Sequence, residues 1–188
     1  MASSKAAELE QLAITDALTG LYNRRHLTAE LEQEWSRHVR NGTRFAVLLF
    51  DADHFKSVND RYGHPVGDEV LRQIGHCLRE KIRGIDLAAR YGGEEFAVLL
   101  PGIDASHALV VAERIRLGLA ALTIDTTQGP LHFTVSIGIS DSDTPGLHDA
   151  DGLLQRADQA LYQAKQSGRN RCIIWQPVSS GTEPPAPA

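Results

Sequence analysis

Cysteine is almost absent from this 188-residue chain: Cys77 and Cys172 are the only two. That is too few for a disulfide framework, and neither falls in a C-x-x-C or Cys/His zinc spacing. A reducing, cytoplasmic setting is the expectation. Long apolar runs are missing too. Nothing approaches the ~18 consecutive apolar residues of a membrane span, so no direct membrane contact is expected of this segment. The first residues, Met1 to Lys5, lack the apolar stretch of a secretory signal. Positive charge is in deficit, with 19 Lys and Arg against 24 Asp and Glu for a net charge of -5. That sign excludes a protein that coats nucleic-acid backbone by bulk charge, so a polyanionic ligand must be met locally. Sixteen Gly and 8 Pro rule out a collagen-like chain, and 42% hydrophobic residues are enough for a single sizeable core.

What is present reads as alternating strands and helices. Residues 5 to 14 pattern as a polar helix, either the last turns of a signalling stalk or a frayed terminus. A helix is predicted from Arg24 to Asn41, with Leu27, Leu31, Trp35 and Val39 at fourfold spacing and Gly42 as its C-cap. Phe45 to Phe50 is an unbroken apolar run suited to a buried central strand. Helices are expected over Asp53 to Tyr62 and Val66 to Ile82, broken at Gly63-His64-Pro65. Strands at Asp86 to Tyr91 and Glu94 to Leu100 flank Gly92-Gly93, a hairpin signal whose primed turn would need φ > 0 at both glycines. Asp104 caps a helix to Leu122, Leu131 to Ser140 alternates as a strand, and Asp149 opens a helix to Ser167 that Gly168 ends. Arg171 to Trp175 is a last strand, and residues 176 to 188 have the composition of a disordered tail.

This order predicts an α+β fold: a ferredoxin-like, split β-α-β core with a mostly antiparallel sheet of about five strands and helices packed on it. In that topology Glu94 to Leu100 lies beside Phe45 to Phe50 and antiparallel to it. Asp51 and Asp53 at the end of one strand then meet Glu94 and Glu95 at the start of the other. Any one of them alone reads as an ordinary acidic strand end. Four together raise one another's pKa unless a cation neutralises them, and an all-oxygen set suits Mg²⁺, with Mn²⁺ as an alternative. Lys56, in the first turn of the following helix, opposes the helix dipole and so faces either solvent or a negative ligand. Asn59 and Asp68 have the donor and acceptor groups to read a guanine edge, although turn-forming Asn and helix-capping Asp are commoner explanations.

The blocks Asp16-Ala-Leu-Thr19-Gly-Leu-Tyr-Asn-Arg-Arg25, Phe50-Asp-Ala-Asp-His-Phe-Lys56, Asn59-Asp-Arg-Tyr-Gly-His64, Gly67-Asp68-Glu69, Arg90-Tyr-Gly-Gly-Glu-Glu-Phe96, Ser136-Ile-Gly-Ile139 and Asp158 through Lys165 to Arg171 resemble the signature blocks of the GGDEF family, the bacterial diguanylate cyclases. The resemblance spans about residues 14 to 175. Glu94 stands where the family name has Asp, which keeps a carboxylate.

The resemblance implies a fold similar to nucleotidyl cyclase and polymerase palm domains, with a stalk end over 1–15, the domain over 16–175 and a tail over 176–188. It implies condensation of two GTP into cyclic di-GMP by a homodimer, with an upstream sensory domain in the full-length protein. Asp51, Glu94, Glu95 and the Ala52 carbonyl would hold the metal, and Glu94 would help deprotonate the 3′-hydroxyl. Lys56, Lys165 and Arg169 would meet the triphosphate, which Gly92 and Gly93 let lie against the backbone. Asn59 and Asp68 would read guanine, with His64 and Phe55 lining the pocket. Arg83 and Asp86 match the family's Arg-x-x-Asp product-inhibition motif, with Arg114 as a partner; such a pair is also an ordinary surface ion pair, and the spacing from Gly92 favours the regulatory reading. A silent receptor for cyclic di-GMP or GTP is the alternative, and the intact Asp51, Lys56, Glu94 and Glu95 argue against it.

Overall fold

The computed structural model describes residues 13–177; most of the expected stalk helix and nearly all of the expected tail lie outside them. In chain order the elements are β1 (Tyr22–Asn23), α1 (Arg24–Asn41), β2 (Phe45–Ala52), α2 (Phe55–Tyr62), α3 (His64–Lys81), β3 (Leu87–Arg90), β4 (Glu95–Pro101), α4 (Ala105–Ala120), β5 (Ile124–Thr126), β6 (Gly129–Leu131), β7 (Val135–Asp141), α5 (Ala150–Gln166) and β8 (Cys172–Ile174).

The main sheet has six strands in the order β1-β3-β4-β2-β7-β8. Its inner four are antiparallel and carry the split β-α-β connectivity expected from the sequence. The two outer pairings, β1 with β3 and β7 with β8, are parallel, so the sheet is mixed and one strand wider than expected. β1 is only two residues long, below what an alternating pattern can signal.

Every residue of β2 is buried, as an unbroken apolar run requires of a strand covered on both faces. Leu48, Phe50, Phe96 and Val98 face α3 and α4 in one cluster, where the Phe50 and Phe96 rings stack at 5.6 Å. Phe45, Val47, Leu49 and Leu99 face α1 and α5 in the other. The approach of α5 to the sheet is closest at Gly138 of β7, where a Cβ would lie 2.0 Å from the Ala157 carbonyl oxygen and 2.3 Å from the Leu161 nitrogen. Only a residue without a side chain fits there.

Three local expectations are corrected. The expected strand from Leu131 to Ser140 is two: β6 pairs with β5 in a small hairpin, and β7 begins at Val135. Gly129, at φ 100°, and a bond from Thr126 Oγ1 to the Gly129 carbonyl close that hairpin. α3 starts at His64, ahead of the expected Val66, because Pro65 sits in its first turn, where a missing N–H costs nothing. Neither Gly92 nor Gly93 is among the positive-φ glycines. The β3–β4 ladder ends at the pair Arg90 and Phe96, and the N–H groups of Tyr91 and Gly92 both donate to the Glu95 carbonyl, at 2.7 and 3.1 Å. The resulting loop is longer than two residues and needs no left-handed positions.

Candidate functional site

The antiparallel pairing of β2 and β4 sets Asp51 opposite Glu95, so the strand ends do bring the carboxylates together. Asp51 is buried, and Lys165 of α5 donates to its Oδ2 at 2.5 Å, a partner the spacing of the two residues in sequence does not reveal. Burial pushes the Asp51 carboxyl up and Lys165 pulls it down; with the charges of Asp53 and Asp158 added, the net direction is upward. Glu94, exposed in the β3–β4 loop, is raised by burial of its carboxyl and then by the Asp51 charge. Glu95 is raised by burial and by Asp158 and Asp51, against Lys165 and Arg24. Burial is the first cause of all three upward shifts, and the neighbouring carboxylate charges add to it.

Asp51, Ala52, Phe55, Lys56, Glu94, Lys165 and Arg169 line one cleft of about 190 Å³ together with Asp53 and His54. Seven residues from three separate sequence blocks, all expected at the site, share it. The cleft is floored by the start of α2, whose N-cap His54 adopts a left-handed conformation, φ 56°, without a side-chain cap. The first N–H groups of that helix are therefore left for another acceptor. Lys56 and the Arg169 side chain have no hydrogen-bond or ion-pair partner among the described residues, as cations kept for an anion would.

Asp53 behaves differently from its neighbours. It is buried, and its oxygens accept from Thr134 Oγ1 and Ser136 Oγ, each at 2.6 Å, and from the Asn170 N–H at 3.0 Å. It ties the start of β7 to the turn in which Arg169 and Asn170 both have positive φ, 63° and 43°. Asp53 lines the cleft but spends its oxygens on the fold, as a bracket for the site. Glu95, opposite Asp51 in the ladder, faces a neighbouring groove with Arg24, Tyr91 and Asp158, which leaves Asp51 and Glu94 as the cleft's carboxylates for a cation. Among the described residues no three His, Cys, Asp or Glu side chains form a ready-made metal cage. Two carboxylates and a carbonyl still fit Mg²⁺, which keeps several waters and completes its shell with substrate phosphates.

Phe55 connects the cleft to the α2–α3 corner, where Asn59, His64 and Asp68 lie. Asn59 Oδ1 is buried and accepts no hydrogen bond. His64 is exposed and Asp68 half-buried. A buried acceptor without a donor costs stability, so this side chain is not held where it is for the sake of the fold alone. Gly92 and Gly93 lie in the β3–β4 loop; a Cβ on Gly93 would meet nothing within 4 Å and one on Gly92 would touch only Glu95, at 3.3 Å.

Arg83 and Asp86 sit at the junction of α3 and β3, away from the cleft. Their side chains are closed on each other: Arg83 Nη2 donates to Asp86 Oδ1 at 2.7 Å, and the Arg83 N–H donates to Oδ2 at 2.7 Å. The Arg83 side chain is 44% exposed and that of Asp86 0%. Both Asp86 oxygens accept from Arg83, and the guanidinium of Arg83 is the part of the pair that faces solvent. Arg114 donates to the Lys81 carbonyl at 2.6 Å. At the N-terminal turn, Asp16 accepts from Thr19 through Oδ2 and from Arg90 through Oδ1, and Arg90 also donates to the Gly93 carbonyl at 2.7 Å.

Comparison with known proteins agrees with this geometry. The family described as diguanylate cyclase, GGDEF domain, matches residues 13–171. The response regulator PleD of Caulobacter vibrioides is 44% identical over 169 residues, covering 87% of this chain and 36% of PleD. The chain spans less than half the length of the curated relatives it matches. The solved GGDEF domain of DgcB from Caulobacter crescentus, in complex with c-di-GMP, superposes with a TM-score of 0.83 at 36% identity, covering 88% of this chain and 94% of that one. The active GGEEF domain of a diguanylate cyclase from Vibrio cholerae gives a TM-score of 0.76 at 35% identity over 82% of this chain and 97% of that one. Sequence blocks, sheet topology and cleft agree, and the chain belongs to the GGDEF domain family.

Proposed function

We propose that residues 16–175 are the catalytic domain of a diguanylate cyclase, which condenses two GTP into cyclic di-GMP with release of two pyrophosphates. The observation that carries this reading is the cleft itself: Asp51 and Glu94 beside Lys56, Lys165 and Arg169, continuous through Phe55 with an unpartnered buried acceptor on Asn59. The similarity to the active GGEEF domain of the V. cholerae diguanylate cyclase supports it.

Asp51, Glu94 and the Ala52 carbonyl would hold the Mg²⁺. Bound there, the cation supplies charge neutralisation and Lewis-acid polarisation at the phosphates. Lys56 and Arg169 meet the triphosphate oxygens with charge that no other described residue claims. Lys165, already on Asp51, sits where a phosphate oxygen and the carboxylate can share its three donors. Glu94 is also the group that accepts the proton of the attacking 3′-hydroxyl. The 3′-oxygen then bonds to the α-phosphorus of the GTP on a second domain. The bond to the β-phosphate breaks and pyrophosphate leaves. One cleft holds one GTP, so two domains must face each other, and the reaction repeated in the other direction closes the ring. Catalysis of this kind is positioning and electrostatics.

Cyclic di-GMP acts back on the enzyme through the exposed guanidinium of Arg83, with Arg114 nearby, and an upstream sensory domain controls how the two domains meet. Glu94→Gln tests the catalytic assignment: the amide keeps the volume and loses the charge. Cyclic di-GMP formation is expected to vanish while the circular dichroism spectrum stays unchanged. Turnover near the wild-type rate would remove Glu94 from catalysis.

A further inference from the structure

Gly67 occupies the first turn of α3, a helix of 18 residues, where glycine costs helix stability relative to alanine. Its backbone does not call for glycine, since its φ is not positive. The reason lies across the corner. A Cβ on Gly67 would stand 1.8 Å from Asn59 Oδ1, 3.0 Å from Asn59 Cγ and 3.3 Å from Phe55 Cζ. The carboxamide of Asn59 therefore lies directly against the bare α-carbon of Gly67, with its oxygen buried and accepting nothing. The Asn59 main chain has little room to retreat: its carbonyl accepts the Gly63 N–H at 2.9 Å, which closes α2, and the Gly63 carbonyl accepts the Gly67 N–H at 3.2 Å. A side chain at position 67 must displace the amide by rotation, carrying Oδ1 away from where it points.

We propose that Gly67 is a specificity-determining positioning residue: the absence of its side chain lets Asn59 Oδ1 pack against the Gly67 α-carbon, the one orientation that sets the NH2 end of the carboxamide to donate to the base. The inference rests on the reading of Asn59 as a guanine contact and adds the element that orients it. Gly75, in the same helix, is a useful contrast. A Cβ there would meet the Thr19 carbonyl oxygen at 2.9 Å, a backbone atom, so Gly75 serves the docking of the N-terminal turn. At Gly67 the first obstacle is the tip of a flexible side chain. The fold can accommodate Gly67→Ala by moving that tip, and the loss then falls on recognition.

Affinities for 3′-deoxy-GTP and 3′-deoxy-ATP, which lack the attacking hydroxyl and bind without turning over, are to be measured calorimetrically with Mg²⁺ for four proteins: wild type, Gly67→Ala, Asn59→Ala and the double variant. The wild type is expected to prefer 3′-deoxy-GTP. Gly67→Ala should lose roughly tenfold or more in 3′-deoxy-GTP affinity and leave that for 3′-deoxy-ATP in place. The double variant should bind 3′-deoxy-GTP no more weakly than Asn59→Ala alone, because the two changes remove one interaction. Its melting temperature should exceed that of Asn59→Ala, since alanine is the better helix former once the clash is gone. An unchanged preference for guanine in Gly67→Ala, or additive losses in the double variant, overturns the inference while leaving the cyclase reading intact. A wild type without base preference overturns the guanine reading of Asn59, and this inference with it.

Discussion

Two positions separate Asp51 from Asp53, and the end of β2 at Ala52 falls between them. Asp51 keeps one oxygen toward the cleft and gives the other to Lys165, whereas Asp53 spends both oxygens on Thr134, Ser136 and Asn170. Their variants should therefore fail in different ways. Asp51→Asn is expected to fold and to lose turnover. Asp53→Ala leaves buried hydroxyl and amide donors unmatched and should lose on the order of 3 kcal/mol of stability, with Asp53→Asn recovering part of it. Denaturant unfolding checks this, and an Asp53→Ala protein as stable as wild type but inactive would make Asp53 a ligand after all. Position alone could not separate the pair: both follow the same apolar run, and the donors that claim Asp53 come from β7 and the α5–β8 turn, more than 80 residues away. The pairing of Asp51 with Lys165, at a separation of 114 residues, was hidden for the same reason. The candidate metal, phosphate and guanine residues were legible because each lies in a short block whose type and order are distinctive. Their hydrogen-bond partners are set by packing.

At the scale of elements, periodicity sufficed wherever a segment was long and one-sided. α1 begins at Arg24 and ends at Gly42, as its spacing and cap predict, and β2 covers its apolar run. It failed for the two-residue β1 and for the short β5–β6 hairpin, where neighbours decide, though it found β8, and it failed at Gly92-Gly93, where dipeptide chemistry suggested left-handed residues that a longer loop does not need. The loop is held instead by Arg90, which joins the Gly93 carbonyl to Asp16. Asp16 feels burial, which works upward, but hydrogen bonds from Thr19 and the charge of Arg90 outweigh it and keep its carboxyl below the ordinary 3.8. A depressed carboxyl contributes stability that is present above its unfolded value and lost as the pH falls through it. The difference in melting temperature between wild type and Asp16→Asn is therefore expected to shrink as the pH drops from about 5 to about 3; a constant difference would sever Asp16 from the ion pair. Gly138→Ala should be the most damaging single change in the sheet, costing about 3 kcal/mol or more, because the obstacle is α5 backbone that cannot rotate aside. Soluble yield and thermal unfolding report it directly.

For the whole molecule, a central sheet with two apolar faces leaves its strand ends as the place for chemistry, and the ends of β2 and β4 carry the cleft. The Arg83–Asp86 junction lies elsewhere. Because Asp86 also receives the Arg83 N–H, it is part of the fold, and regulation is assigned to the exposed guanidinium. Arg83→Ala is expected to relieve inhibition by added cyclic di-GMP without lowering the initial rate; an unchanged inhibition constant would leave the pair a structural bridge. Among the described residues no helix is long and apolar enough to cross a membrane. A single cleft per chain makes the rate per domain rise with concentration until pairs form. The most direct test of the account is to incubate the purified chain with Mg²⁺ and GTP, at concentrations raised until the rate per domain levels off, and to separate the products chromatographically. The account predicts cyclic di-GMP with two pyrophosphates for each, and no cyclic dinucleotide from ATP. Hydrolysis to GDP, or GTP bound and unchanged at every concentration, would contradict it.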